Sequence, residues 1–245
     1  MTEILQTLLP PDMQGLRTLP GIQPLAEPWL RVDDAYAGQM RHRRALIEGQ
    51  RGAVHFMQDT ASPACEEVLA EAVALVADMG FHKHGTRVTC PDGAVVALDE
   101  DCPLVVLGRL VQEDICIMEK RGDEHVLTAA CLCFPASWQL REKAGHPLTA
   151  VHDPVEEYDA PLARRVQRLF DGVQVGRPLW RSNLLWYDDP ELFQPRSVQA
   201  PRRIDPGVRE AAYQRAERQC ILRLPHTKAC VFSIHTYVVR TARRQ

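Results

Sequence analysis

Few side chains in this sequence have the type and spacing to do chemistry. His152 stands two residues before Pro154, at the end of the run Glu142-Lys143-Ala144-Gly145-His146-Pro147-Leu148-Thr149-Ala150-Val151-His152-Asp153-Pro154. An imidazole there can donate a lone pair to a metal, or simply pack and cap its turn. Arg181 and Asn183, with Glu217, Arg218 and Gln219, form a polar set that can hold an anion or a cation, or serve as an interstrand salt-bridge network. Cys131-Leu132-Cys133 places two thiols on one face of a strand, yet no second pair completes a closed zinc site, and buried core thiols are the reading preferred. His82-Lys83-His84 can bind a metal at the surface, although a solvated Gly-flanked loop explains it as well. Cys220, on an apolar strand, can ligate as a thiolate or pack in the core, and Tyr237 fits a core aromatic with a satisfied hydroxyl. Tyr187-Asp188-Asp189 offers adjacent carboxylates, but neighbours on a strand point in opposite directions. There is no Gly-rich nucleotide loop, no G-x-S-x-G elbow and no H-E-x-x-H helix. No common catalytic motif is complete, so spacing alone names no reaction.

The elements that must position these groups are easier to read. Val111–Lys120 and His125–Phe134 flank the charged turn Arg121-Gly122-Asp123-Glu124 and predict a hairpin. Gln214–Leu224 and Ala229–Val239, around Pro225-His226-Thr227-Lys228, predict a second one. Pro178–Tyr187 reads as a strand, and Arg87–Cys90 with Ala94–Leu98 as a short hairpin around Pro91-Asp92-Gly93. Leu104-Val105-Val106-Leu107 reads as a strand leading into the central hairpin. Asp33 or Asp34 can cap a helix to about Glu48. Ser62, with Pro63 behind it, can cap a helix running to Gly80. Ser137 can cap a short helix ending near Gly145. Asp159 starts another in which Leu162, Val166, Leu169 and Phe170 form one apolar face. The Pro-rich first 30 residues read as an arm over the core, and 194–208 as a surface loop. Clustered strands with helices inserted among them predict an α+β domain on an antiparallel sheet.

A chain of 245 residues with 45% apolar and 25% charged content is an ordinary globular protein. Its 29 basic and 32 acidic side chains give a net charge of -3, which offers no reason to expect nucleic acid or an anionic membrane as partner. The start Met1-Thr2-Glu3-Ile4-Leu5-Gln6 lacks the basic n-region of a signal peptide, and the apolar run 68–77 is too short to span a bilayer. Eight cysteines in a chain of this length fit reduced thiols in a cytoplasm better than a disulfide scaffold.

The stretch from Val111 to Phe193, with Glu217-Arg218-Gln219, Phe232-Ser233-Ile234-His235-Thr236-Tyr237, and the N-terminal Gly15-Leu16-Arg17 through Trp29-Leu30 and Asp33-Asp34-Ala35-Tyr36, resembles the haem-dependent oxidative N-demethylase family. The resemblance implies a PAS-like antiparallel sheet with flanking helices and an N-terminal helical extension. Residues 1–30 are then an arm, and 31–245 a single haem-binding domain. It implies haem as cofactor; the choice of His152 as the iron ligand is an expectation from its own position before Pro154, with Cys220 or His235 next in line. It also implies dioxygen and a small amine as substrates, with formaldehyde released. Within it, Glu217 is the candidate carboxylate for a cationic amine, Arg181 and Asn183 are candidate polarising groups, and Arg218 or Arg181 can bind haem propionates. No flavin or iron–sulfur motif is visible, so electrons are expected from an external flavin or iron–sulfur reductase partner. A haem-binding PAS-like gas or redox sensor without turnover is the alternative reading.

Overall fold

The computed structural model of the chain describes residues 3–14, 21–152, 160–197 and 211–241, without the side chains of 151–152 and 160–163. In chain order the strands are β1 (Gln23–Pro24), β2 (His55–Met57), β3 (His82–His84), β4 (Arg87–Thr89), β5 (Val95–Ala97), β6 (Asp114–Arg121), β7 (Glu124–Cys131), β8 (Leu179–Tyr187), β9 (Tyr213–Arg223) and β10 (Cys230–Arg240). The α-helices are α1 (Tyr36–Gly49), α2 (Arg51–Val54), α3 (Ser62–Leu75), α4 (Pro103–Leu110), α5 (Leu140–Lys143), α6 (Leu148–His152) and α7 (Ala160–Gly172). A seven-stranded sheet runs in the order β1-β8-β9-β10-β6-β7-β2, with every neighbouring pair antiparallel. A three-stranded sheet, β3-β4-β5, stands beside it. This is the α+β arrangement expected from the clustering of strand patterns.

The two long hairpins form where apolar alternation meets a turn that the chain can make. Between β6 and β7, Arg121 pairs with Glu124, and Gly122 supplies the left-handed φ of 62° that the tight turn requires. Between β9 and β10 the connection is held from outside, because the Glu67 carboxylate accepts the backbone N–H groups of His226 and Thr227 at 2.6 and 2.8 Å. Eleven residue pairs, Tyr213↔Arg240 to Arg223↔Cys230, then zip the longest ladder of the fold.

The large core lies on one side of the sheet. There the buried residues of α1, α3 and α4 pack on Ile115, Ile117, Ala129, Cys131, Cys220 and Val231. The N-terminal arm joins the same core through Leu9, Met13, Leu25, Trp29 and Leu30. It is stitched to the sheet as well: Gln23 and Pro24 pair with Trp180 and Leu179, and Gln6 exchanges backbone and side-chain hydrogen bonds with Val238. On the other side a smaller core forms from Cys116, Met118, Ala130, Ile221, Cys230 and Ile234, covered by Leu140 of α5, Leu148 of α6 and Phe170 of α7.

Several local expectations need correction. Leu104–Leu107 is helical, inside α4, rather than a strand. Pro103 sits at the first helical position, where its fixed φ suits a helix and its missing N–H costs nothing. All four residues are fully buried, so the run has no polar face to betray its period. His82-Lys83-His84 is an exposed edge strand, not a loop. Helix α3 begins at Ser62 itself, whose hydroxyl donates to Glu66 instead of capping the turn. Helix α1 is preceded by Ala35, and Asp33 accepts the Ala35 N–H just outside it. Asp159 and 198–210, most of the expected Pro-rich loop, lie outside the described residues.

β7 ends at Cys131, short of the expected Phe134, for an electrostatic reason. Asp114 takes the backbone N–H groups of Cys133 and Phe134 at 2.7 and 2.9 Å, which pulls the chain out of the ladder. The carboxylate is itself buried against Arg43, Nη1 to Oδ1 2.6 Å, with neither side chain more than 1% exposed. Arg43 spends its other donors on the carbonyls of Gly108, Gln112 and Glu113. Asp114→Asn keeps the volume but leaves a buried guanidinium uncompensated, so unfolding in urea is expected to show a loss of about 3–5 kcal/mol. A loss below about 1 kcal/mol, the range of surface pairs, would show that the pair contributes no more than an exposed one.

Candidate functional site

Strand register decides which of the polar candidates can meet. Arg181 pairs with Gln219 and Asn183 with Glu217, while on the other flank of β9 Thr236 pairs with Glu217 and Ile234 with Gln219. Directly opposed residues share a face, so Arg181, Asn183, Glu217, Gln219 and Thr236 form one polar patch. It lies on the face of the smaller core, beside the apolar Phe232, Ile234, Ile221 and Leu179. Glu217 is 6% exposed and accepts a hydrogen bond from Gln219 Nε2 at 2.8 Å. Arg181 carries a buried Nε with no hydrogen-bond partner among the described residues, and Thr236 a buried hydroxyl in the same condition. Burial pushes the Arg181 pKa down, and the Glu217 charge opposes that. A cation and an anion are thus held close under apolar cover, with polar capacity left over.

The helices over this face come from the chain between β7 and β8. Gly145 and Leu127 exchange backbone contacts, Gly145 N–H to Leu127 O at 2.8 Å and Leu127 N–H to His146 O at 3.0 Å. That docks the start of α6 on β7, and Gly145 makes the turn with φ 76°. The backbone of His152 ends α6 on this side of the sheet, and its side chain lies outside the described residues. α7 is fixed by Arg223, which donates to the Val173 and Phe170 carbonyls, and by Gln167, which binds His125.

Arg218 is directed to the opposite face. It pairs with His235 and Ser182 across the ladders and is fully buried. Its Nη atoms donate to the Trp29 and Pro28 carbonyls and to Glu27 at 2.9, 3.0 and 3.2 Å, and the guanidinium lies 5.8 Å from the Trp180 ring centre. Cys220 shares that face, and burial raises its thiol to about 11. Cys131 and Cys133 are buried beside Arg43. Among the described residues, no three His, Cys, Asp or Glu side chains are grouped to hold a metal, the His82–His84 strand included. A shallow surface depression of about 560 Å³, lined by Gln58, Asp59, Thr60, Glu119, Lys120 and Arg121, lies at the other end of β6 from the polar patch.

The spacing of residues gave no hint of a second buried cluster on the large-core face. His235 has Nδ1 2.8 Å from Glu113 Oε1 and Nε2 3.0 Å from Asp33 Oδ2, so both ring nitrogens are taken by carboxylates. Asp33 also accepts from Gln112 and Gln6, at 2.7 and 2.8 Å. Glu113 accepts the Arg31 backbone N–H, and Arg31 donates to the Tyr237 hydroxyl at 3.1 Å. The members are 27 to 202 residues apart in the chain where they touch Asp33, and Asp33 reads locally as a helix cap.

Burial alone would lower the His235 pKa, but the Glu113 charge and the hydrogen bonds that the imidazolium donates to Asp33 and Glu113 outweigh it and raise the value from 6.5 to about 9. A raised folded pKa stabilises fully below the unfolded value, and the contribution disappears as pH climbs through the folded one. His235 therefore supplies about 3 kcal/mol at low pH, lost between roughly pH 6.5 and 9. In urea titrations His235→Gln should flatten stability across that window. A further decline above it should persist, because Cys65, Cys220 and Cys230 are held above their ordinary pKa by burial. A parent protein with flat stability from pH 6.5 to 9 would show His235 to be neutral in the fold.

The family model described as haem-dependent oxidative N-demethylase, alpha subunit-like, matches residues 21–243, from the arm strand to the end of β10. Both the polar patch and the His235 cluster fall inside that span, and the chain belongs to this haem-dependent oxidative N-demethylase alpha subunit-like family.

Proposed function

We propose that this chain is the haem-binding subunit of an amine N-demethylase, in which an N-methyl group of a small amine is oxidised with dioxygen and leaves as formaldehyde. Family membership supports the chemistry. The observation that carries the placement is the meeting of Glu217, Arg181 and Asn183 on the sheet face covered by α5, α6 and α7. The donor set there fits haem. Met118, Cys116, Phe232 and Ile234, packed beneath α5, α6 and α7, have the apolar character a macrocycle needs on that face, and the Arg181 Nε, without a partner among the described residues, can donate a hydrogen bond to a propionate. His152, on the helix over the same face, is the iron ligand in this reading, with its second ring nitrogen free to be oriented by a hydrogen bond. Bound there, haem supplies the iron that activates dioxygen against the N-methyl carbon.

The chain's own groups do the rest. Glu217 attracts an ammonium substrate, and its charge counts for more under apolar cover than in water. Gln219 holds one carboxylate oxygen at 2.8 Å and so sets the direction of the other. Asn183, across the ladder from Glu217, can donate or accept without adding charge. The helical cover keeps water from the reacting centre. Arg218, with its Nη donors engaged by Trp29, Pro28 and Glu27, acts in this reading as a brace between arm and sheet rather than as a propionate ligand.

A PAS-like domain of residues 31–245 with an arm over 1–30 is supported by connectivity. Hairpin β6–β7 is followed by α5–α7 and then by β8, β9 and β10, the last returning to pair with β6. Reducing equivalents are assigned to a flavin or iron–sulfur partner, a role that an alpha-subunit-like description supports. The eight free thiols support a cytoplasmic setting.

The test uses protein expressed with haem supplied and a reconstituted reductase, and follows amine-dependent formaldehyde formation. Glu217→Gln should keep the haem spectrum and lose roughly 1.5–3 kcal/mol of amine binding, about one to two decades in affinity. Unchanged amine affinity and turnover would remove Glu217 from the site. His152→Ala should lose the Soret band while circular dichroism stays that of the parent, and an intact band at full stoichiometry would pass the ligand role to another residue. Gas binding without amine-dependent turnover would make the chain a sensor instead.

A further inference from the structure

On the large-core side of the sheet, away from the α5–α7 face, three soft donor atoms converge at the edge strand β2. The Cys102 sulfur lies 3.4 Å from His55 Nε2 and 3.5 Å from Met57 Sδ. His55 and Met57 are two residues apart on β2 and pair with Cys131 and Ala129, so they project to one side. Cys102 is the residue preceding α4. Its loop is pinned, since Asp101 accepts the Cys102 N–H and is held in turn by Arg51 and Arg109. All three donors are half-buried, whereas the other seven cysteines of the chain are buried.

We propose that Cys102, His55 and Met57 form a binding site for a soft monovalent cation, Cu(I). The separations suit coordination as well as a thiol hydrogen bond. With metal–nitrogen and metal–sulfur lengths of about 2.0 and 2.3 Å, the Cys102–His55 and Cys102–Met57 separations each subtend roughly 100° at a shared ion, near the tetrahedral angle. The donor types select the metal: no carboxylate or carbonyl oxygen is among them, and thiolate plus thioether favours Cu(I) over harder ions. Binding requires loss of the Cys102 thiol proton to solvent, and the ion takes its place between sulfur and nitrogen. Cys65, in α3, is close enough to Cys102 for a charge there to raise its thiol pKa further.

The full-length, haem-loaded protein is titrated anaerobically with the Cu(I)–bicinchoninate complex, and transfer of copper is read from loss of chelator colour. One equivalent should pass to the parent with no change in the Soret band. Cys102→Ser should take up none, and Met57→Leu, which preserves volume and fold, should bind more weakly by at least the roughly tenfold that loss of even an outer-shell partner costs. Failure of the parent to draw copper from the chelator, or uptake by Cys102→Ser equal to that of the parent, would overturn the site and leave a hydrogen-bonded thiol only. Parent-like affinity in Met57→Leu would overturn the three-donor assignment.

Discussion

The Arg43–Asp114 pair fixes the corner from which the rest of the fold is hung. Isolated charges in a core are costly, and such a pair persists only when the remaining donors and acceptors are satisfied. Here Asp114 meets that need by capturing the N–H groups of Cys133 and Phe134, so β7 must stop and the chain must turn towards α5. The turn then presents the Phe134 carbonyl, which accepts Arg215 Nη2 at 2.7 Å, while Arg215 Nη1 reaches the Leu192 carbonyl at 3.1 Å. Arg215 is two residues from Glu217 on the same strand. One buried ion pair is therefore connected, through the N–H and carbonyl of Phe134 and one arginine, to the strand that carries the polar patch.

Both faces of the sheet bury charge. On the large-core face His235 is answered by two carboxylates, Arg218 by carbonyls of the arm and Tyr237 by Arg31, while Glu113 Oε2, Arg218 Nε and the Ser233 hydroxyl have no partner among the described residues. These pairings favour a single register, since a slip by one residue would send every partner to the wrong side. On the smaller-core face, Arg181 and Thr236 keep buried atoms without partners among the described residues, and Glu217 has one neutral neighbour on one oxygen. Unanswered polar capacity costs about 1–3 kcal/mol for each group. What distinguishes the smaller-core face is that its unpartnered Arg181 and Thr236 atoms stand beside Glu217 and next to the apolar residues covered by α5, α6 and α7.

Local pattern carried most of the architecture. The hairpins at 111–134 and 213–240 were legible because alternation and turn chemistry agree, and in the first of them Gly122 occupies the position that needs a positive φ. Leu104–Leu107 was not legible, because a short run buried on all sides has the same composition in either state. For the polar set, alternation predicted that Glu217 and Arg218 part to opposite faces, but it could not say which face holds which core. The register of β8 against β9 decides that, and it depends on partners more than 30 residues away. The role of Asp33 was hidden in a similar way, since its local signal is that of a cap while its carboxylate serves His235 across 202 residues.

The arm shows how distant sequence enters the candidate site without touching it. Arg218 could in principle turn either way, but the carbonyls of Pro28 and Trp29 and the carboxylate of Glu27 hold it on the large-core face. Strand alternation then obliges Glu217 and Gln219 to point to the other side. Arg31 reinforces the arrangement by joining Glu27 to Tyr237 and, through its backbone N–H, to Glu113 beside His235. An arginine engaged at charge-assisted hydrogen bonds contributes more than a neutral pair, and several such contacts on β9 and β10 act together against a register shift. The direction of Glu217 is thus set from behind, by cations and carbonyls on the face it does not share.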